Sequence, residues 1–409
     1  MDIPGLPARR AALHLIDAVL RRGETLDQAA GAALSKVRGD ADRALARAIA
    51  GEALRWKQDL DALIDSATRM PLADDAKARA VLQIMLAQVL RLDSPPHAVI
   101  ATGLPLLMGG PRRLAHGVFS TLLKREVKLP AVPTLPEAVA ARWGERAGAI
   151  AAGLAAPPPL DLALRDPAAT AEWAERLDGV SLSPGHVRLA RGIAVDALEG
   201  FRDGAWWVQD LAASLPARLL GAGEGKRVLD LCAAPGGKTM QLAAAGWKVT
   251  ALDNAKRRME RLRDNLERTS LEAEVVLADV MTWEPEAPFD AILLDAPCTA
   301  TGTARRHPDV LHRIGARQIA DMAELQAGIL ARAADWLVPG GQLVYAVCSL
   351  EREEGEAIAA PSALTPAPIA ASEVPEGLSI SPEGWLRTDP GMLAEQGGLD
   401  GFFVSRWVR

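Results

Sequence analysis

The feature that most constrains this chain is a rhythm that begins at Lys226. Apolar runs (RVLDLC, KVTALD, EVVLAD, FDAILLD and GGQLVYAVC) alternate with helix-length segments, and each run finishes in an acid or a cysteine. Strands this apolar need both faces covered, so the pattern predicts a parallel, doubly wound α/β sheet. The intervening helices are expected through Leu242, over Lys256 to Arg268, and over about Arg317 to Trp336. GFFVSRWV reads as a last strand, and residues 361–378, rich in Ala, Pro and Ser, as a surface loop.

Ligands of such sheets sit at the carboxyl ends of the strands. The loop after the first run reads Cys232-Ala233-Ala234-Pro235-Gly236-Gly237-Lys238-Thr239. Its glycine pair lets backbone approach a ligand closely just before a helix begins. Asp253 lies 17 residues after Gly236, where an acid binds ribose hydroxyls, and Asp279 offers an acceptor to an adenine amino group. A nucleoside cofactor suits this set. A phosphate-binding G-x4-G-K-[ST] loop does not, because Cys232 stands where its first glycine is required. The dinucleotide pattern G-x-G-x-x-G is also missing after this strand.

Three cysteines exclude a disulfide framework. Cys298 follows a proline in DAPCTATG, and Cys348 closes an apolar strand in YAVCSL. A thiol at the carboxyl edge of a sheet is partly exposed and near helix N-termini, which lower its pKa. Two thiols aimed at one crevice suit covalent catalysis. Each alone also reads as a small buried hydrophobe, the expected role of Cys232.

The first 130 residues differ in kind. Apolar stripes of helical period run over PARRAALHLIDAVLRRG and from about Asp40 to Trp56, Leu60 to Met70, Asp75 to Leu92 and Pro111 to Arg125, without strand signals. A bundle of about six helices is expected. With 409 residues, two to three domains are expected at about 150 each. We place them at 1–130 (all-helical), 131–210 (a Pro-punctuated linker around one helix, then a small α+β segment) and 211–409 (the sheet domain).

DLCAAPGGKT, then LD, DAPCTATGTARRHPDV and VPGGQLVYAVCSLEREEGE, resemble the bacterial RNA cytosine-C5 methyltransferases. Residues 6–128 resemble their NusB-like RNA-binding domain, and the most similar branch is the RsmB type, which modifies small-subunit ribosomal RNA. The resemblance implies a class I S-adenosylmethionine-dependent methyltransferase fold, Rossmann-like with a mostly parallel sheet, behind a NusB-like bundle. It makes Cys348 the nucleophile that adds to cytosine C6, and it gives Cys298 a part in elimination and product release. Asp295 would hydrogen-bond the cytosine N3/N4 edge and help carry its proton, while Lys238 would contact cofactor or base. Cys232, Ala233, Ala234, Pro235, Gly236, Gly237 and Lys238, with Asp253, Asp279 and Asp295, would hold S-adenosylmethionine. DNA cytosine methyltransferases place the nucleophile in the Pro-Cys motif, so Cys348 favours RNA. The chain departs from the family pattern at Thr299 and Ala300 (usually Ser and Gly), at Val347 (usually Thr), in HGVFSTLLKRE and in PPPLDLALRD.

The net charge of −6 divides unevenly. Residues 1–130 hold 19 Lys+Arg against 14 Asp+Glu, a balance of +5, and the remainder holds 27 against 38, a balance of −11. A basic N-terminal piece suits a polyanion, with salt-sensitive RNA affinity. Arg305, Arg306 and His307, after the Pro-Cys loop, are candidates for phosphate contacts. Trp206 and Trp207 are expected in the core, with stacking on a base as the alternative. His14, His97, His116 and His186 have no metal spacing, and no metal is expected. No apolar run approaches the ~20 residues that span a bilayer, and the N-terminus lacks a signal-peptide pattern. The expectation is a cytoplasmic protein acting on unpaired RNA; the sequence leaves the oligomeric state open, with a monomer favoured. The competing readings are a non-catalytic RNA-binding or assembly factor, and a methyltransferase acting on tRNA, DNA or protein.

Overall fold

The computed structural model describes residues 3–360 and 363–409. One compact unit ends at Ala156 and also takes in Ala304–Ile314; the other comprises Pro157–Thr303 and Gly315–Arg409.

The first unit holds α1 (Leu6–Arg22), α2 (Leu26–Leu34), α3 (Asp40–Arg55), α4 (Lys57–Ser66), α5 (Lys77–Arg91), α6 (Pro96–Gly103), α7 (Gly109–Lys124), α8 (Glu137–Trp143) and α9 (Ala147–Gly153). The stripe on α1 buries Ala8, Ala12, Leu15, Ile16 and Val19, and Gly23 ends the helix by donating its N–H to the Val19 carbonyl. Two helices of this bundle, α2 and α6, were not among the expected stripes. Helix α2 is marked instead by the Thr25–Gln28 capping box, and α6 by the prolines at its start. The unit also runs past the expected boundary at 130, and the linker holds two short helices, α8 and α9, rather than one.

The second unit begins with a three-stranded antiparallel sheet of order β2-β1-β3, built from β1 (Leu160–Leu164), β2 (His186–Leu189) and β3 (Trp206–Val208), with α10 (Thr170–Arg176) between the first two. Then come α11 (Leu211–Arg218), β4 (Arg227–Leu231), α12 (Gly237–Ala244), β5 (Lys248–Asp253), α13 (Lys256–Thr269), β6 (Glu274–Leu277) and β7 (Phe289–Asp295). The single turn α14 (Val310–Arg313) falls in the stretch assigned to the first unit. The chain continues through α15 (Ala316–Asp335), β8 (Leu337–Val347), α16 (Glu356–Ala359), β9 (Thr365–Pro366), β10 (Leu386–Thr388) and β11 (Phe402–Val408).

The large sheet has the order β10-β11-β8-β7-β4-β5-β6, with β9 on β11. Its five middle and far strands, β8 to β6, pair in parallel, and β11 runs antiparallel to β8. Alternate residues of β7 enter different cores: Ala291 and Leu293 pack on one face of the sheet, Ile292 and Leu294 on the other. This is why the run is continuously apolar, and a Leu293→Ala change removes about 2–5 kcal/mol. Residues 363–378 are not a simple surface loop: they contain β9, and Ile369, Val374 and Leu378 are buried. Pro361 and Ser362 lie outside the described residues.

Candidate active site

Register brings the strand ends level. Leu231 pairs with both Leu252 and Leu294, Asp253 with Leu277, and Asp295 with Ala346. The strand order reverses between β4 and β7, which is where doubly wound sheets open a crevice. The loops after β4, β5, β7 and β8 therefore emerge at one edge.

The loop after β4 turns sharply. Cys232 has φ +61°, the Ala234–Pro235 peptide is cis, and Gly236 at φ +103° leads into α12. Leu262 lies 3.0 Å from where a Gly236 Cβ would stand. Inside this turn Thr239 Oγ1 donates to Asp230 Oδ2 at 2.6 Å, tying the start of α12 to β4. Burial pushes the Asp230 carboxyl up to about 7. Burial, reinforced by the charges of Asp253, Asp295 and Asp230, pushes the Cys232 thiol up to about 12. A thiol held protonated this firmly is a poor nucleophile.

Lys238 points from the first turn of α12 to Asp295 at the end of β7, Nζ to Oδ2 2.7 Å. Nζ also lies 5.3 Å from the centre of the Phe402 ring. Burial works to lower the lysine's pKa, but the charge and hydrogen bond of Asp295 outweigh it and hold the ammonium above its ordinary value. Asp295 keeps 30% of its side-chain surface exposed, so the pair presents a carboxylate to the crevice and a buried cation behind it.

Two residues beyond Pro297's neighbour Ala296, the Pro-Cys loop brings Cys298 to Cys348: the two Sγ atoms are 3.4 Å apart. The hydrogen bond with Cys348, then burial, raises the Cys298 thiol well above its ordinary value. Gly302 ends this loop against Gly401; a Cβ on Gly302 would fall 1.9 Å from the Gly401 carbonyl oxygen. Gly302 N–H donates to the Cys348 carbonyl at 3.0 Å, which joins the two cysteine loops through backbone. Ala300, where the family pattern has Gly, has φ +58°. Val347 is buried in the core, so its side chain packs where the usual Thr would place a hydroxyl.

Behind the thiols is a group the sequence did not single out. Glu354 is fully buried and accepts at both oxygens. Thr299 N–H (2.8 Å) and Gln326 Nε2 (3.0 Å) donate to Oε1. The hydroxyls of Thr299 and Ser349, the latter at 2.5 Å, donate to Oε2. Tyr345 donates to the Glu354 carbonyl at 2.6 Å, and Gln326 also donates to the Pro297 carbonyl at 2.9 Å. One signal was available: Gln326 interrupts the buried stripe of α15, Ile319, Ile329, Leu330 and Ala333. A polar residue on an apolar stripe requires a buried partner.

The other candidates separate. Asp253 is covered and accepts from Ala234 N–H (3.2 Å), Ala255 N–H (2.8 Å) and the guanidinium of Arg258 (3.2 Å). Asp279 is exposed and accepts from Met281 N–H at 2.9 Å. Trp206 and Trp207 are both buried, in the core. Arg305 is only 1% exposed, so it is not available to phosphate from solvent. Among the described residues no helix is long and apolar enough to cross a membrane.

This donor set fits S-adenosylmethionine chemically. A ribose diol and an adenine amino group need acceptors, which Asp253 and Asp279 carry at adjacent strand ends. A sulfonium and an ammonium favour an edge with several carboxylates. Arg258, about half exposed, covers Asp253 from the solvent side.

Comparison with known proteins agrees. The family model for 16S rRNA methyltransferase RsmB/F matches residues 217–407, and the NusB family model matches residues 6–106. Ribosomal RNA small subunit methyltransferase B of Pseudomonas putida is 36% identical over 98% of this chain and 98% of its own. The chain belongs to the RsmB/F family of 16S rRNA methyltransferases. As a member of the RsmB/F family it is an RNA methyltransferase, and its cofactor is S-adenosylmethionine. The solved structure of PH0851 aligns over 99% of both chains with a TM-score of 0.72 at 22% identity. NSun6 from Pyrococcus horikoshii, solved with SFG, covers 67% of this chain and 98% of its own, with a TM-score of 0.58 at 18% identity. Both show the fold of the RsmB/F chain.

Proposed function

We propose that this enzyme methylates C5 of a cytosine in small-subunit ribosomal RNA, with Cys348 as nucleophile. The observation that carries the reading is the pair of thiols 3.4 Å apart at the sheet edge that also presents Asp295. C5 of cytosine is a weak nucleophile. Addition of the Cys348 thiolate to C6 moves the ring's electrons toward C5 and leaves N3 to take up a proton. Asp295 accepts from the 4-amino edge and, with Lys238 Nζ 2.7 Å behind it, carries that proton. S-adenosylmethionine, when bound, supplies the methyl group from its sulfonium. Loss of the C5 proton then expels the Cys348 thiolate, and Cys298 is the group placed to assist that elimination. A base must leave its stack to meet a thiol in this crevice, so the target is an unpaired nucleotide. The same reading suits an enzyme of the cytoplasm.

The test uses tritiated methyl transfer and denaturing gels. Cys348→Ala abolishes transfer, and Cys298→Ala accumulates an RNA–protein adduct that survives denaturation. A fully active Cys348→Ala protein overturns the reading. Bisulfite sequencing of ribosomal and transfer RNA from a deletion strain identifies the nucleotide, and a lost mark in tRNA alone moves the substrate there.

A further inference from the structure

We propose that Glu354 is a positioning residue that fixes the separation of the two active-site thiols by clamping the Pro-Cys loop to the turn after β8.

The argument is one of occupancy. A carboxylate has about four lone-pair sites, and Glu354 fills them with four donors: Thr299 N–H, Thr299 Oγ1, Ser349 Oγ and Gln326 Nε2. Thr299 is the residue after Cys298 and Ser349 the residue after Cys348. One side chain thus holds the immediate neighbours of both thiols. The clamp itself is anchored, since Gln326 on α15 also grips the Pro297 carbonyl and Tyr345 on β8 grips the Glu354 carbonyl. Arg387 donates to the Ser349 carbonyl at 2.5 Å and pairs with Glu356, closing the turn from the other side.

None of the four donors is a cation. A buried carboxylate that served only stability would be expected to meet Arg or Lys, as Glu52 of the helical unit does. Here all four donors are neutral, three of them from the two loops that must stay in register and the fourth from α15. The charge also faces Cys298, adding to the rise of that thiol's pKa after Cys348 and burial. The departure at Thr299 keeps a hydroxyl because that hydroxyl is one of the four donors.

The test is arranged so that it does not depend on cytosine chemistry, although the role assigned to the clamp rests on the reading above. The full-length protein is treated with diamide, and the Cys298–Cys348 disulfide is followed by peptide mass spectrometry. Thiols 3.4 Å apart need little movement to reach bonding distance. In Glu354→Ala the rate of closure falls at least 10-fold. Glu354→Gln, which keeps the shape and lets the two hydroxyls turn to accept, restores it to within about 3-fold. Methyl transfer follows the same order, with kcat reduced and KM for S-adenosylmethionine unchanged. Should Glu354→Ala not fold, Ser349→Ala removes a single donor and gives a smaller shift of the same sign. Closure at the wild-type rate in folded Glu354→Ala overturns the proposal. Slowed closure, with no cytosine methylated by any variant or by wild type, leaves the clamp standing and removes the assigned reaction instead.

Discussion

Buried charge is handled differently in the two units. In the helical unit Arg79 on α5 reaches Asp61 at 3.0 Å and Asp65 at 2.7 Å on α4, and Glu52 on α3 takes Arg55 at 3.2 Å and Arg91 at 3.0 Å. Each of these acids faces a cation, and Arg79 and Arg91 tie helix to helix, while the buried Asp59 accepts instead from Thr134 N–H at 2.9 Å and Oγ1 at 2.7 Å. At the carboxyl edge of the large sheet, Asp230 and Glu354 are fully buried with neutral donors alone, and Asp230 Oδ1 has no partner at all. The balanced pairs of the helical unit fix a geometry. Unbalanced groups hold potential that a substrate or a neighbouring thiol can feel.

Four changes break or sharpen that contrast. The largest effect falls on the Lys238–Asp295 pair at the sheet edge. Lys238→Met leaves Asp295 without its cation, and methyl transfer should fall about 10²- to 10⁴-fold; a loss under 10-fold in single-turnover assays removes the pair from the reaction. Arg79→Met in the helical unit takes the cation from Asp65, while Asp61 keeps Lys57 at 2.7 Å, and costs about 1–3 kcal/mol in denaturant unfolding, with transfer at 25 °C unchanged. If transfer collapses while the fold stays intact, the helical unit's pairs are not merely structural.

The third change concerns pH, and two buried groups, one in each unit, should respond with opposite signs. Burial lowers the His312 pKa from 6.5 to about 4, so its contribution is complete above 6.5 and is lost as pH falls toward 4, about 3 kcal/mol in all. Burial raises Asp230 from 3.8 to about 7, so its contribution is complete below 3.8 and is lost as pH rises toward 7. Urea midpoints across pH 4–8 should therefore flatten on the acid side in His312→Gln and on the rising side in Asp230→Asn. Matching profiles for wild type and both variants would contradict the assignment. The smallest effect is at Ala300, whose left-handed φ of +58° favours glycine. Ala300→Gly should stabilise by up to about 1 kcal/mol in a thermal melt.

The sheet was legible because burial on both faces writes itself as uninterrupted apolar sequence, and the strand-end residues Cys232, Asp253, Asp295 and Cys348 fall where the spacing put them. Short helices were less legible. LDQAAGAAL in α2 is nine residues with a central Gly, too few turns for a stripe to stand out. The clamp was illegible for another reason. SLEREEGE contains four acids within six residues, and only tertiary folding decides that Glu354 turns inward while Glu353 stays exposed. Arg305 misled for the converse reason, since a basic run after a cysteine loop carries no mark of which member is buried.

Residues 304–314 begin six positions after Cys298, yet their compact neighbourhood is the helical unit. Arg55 donates to the Arg305 carbonyl at 2.9 Å, His312 bonds the Leu54 carbonyl at 2.7 Å, and Val310 and Leu311 are buried. A cut at 156 would therefore leave the C-terminal piece carrying eleven residues, 304–314, whose buried side chains have lost the helical neighbours they pack against.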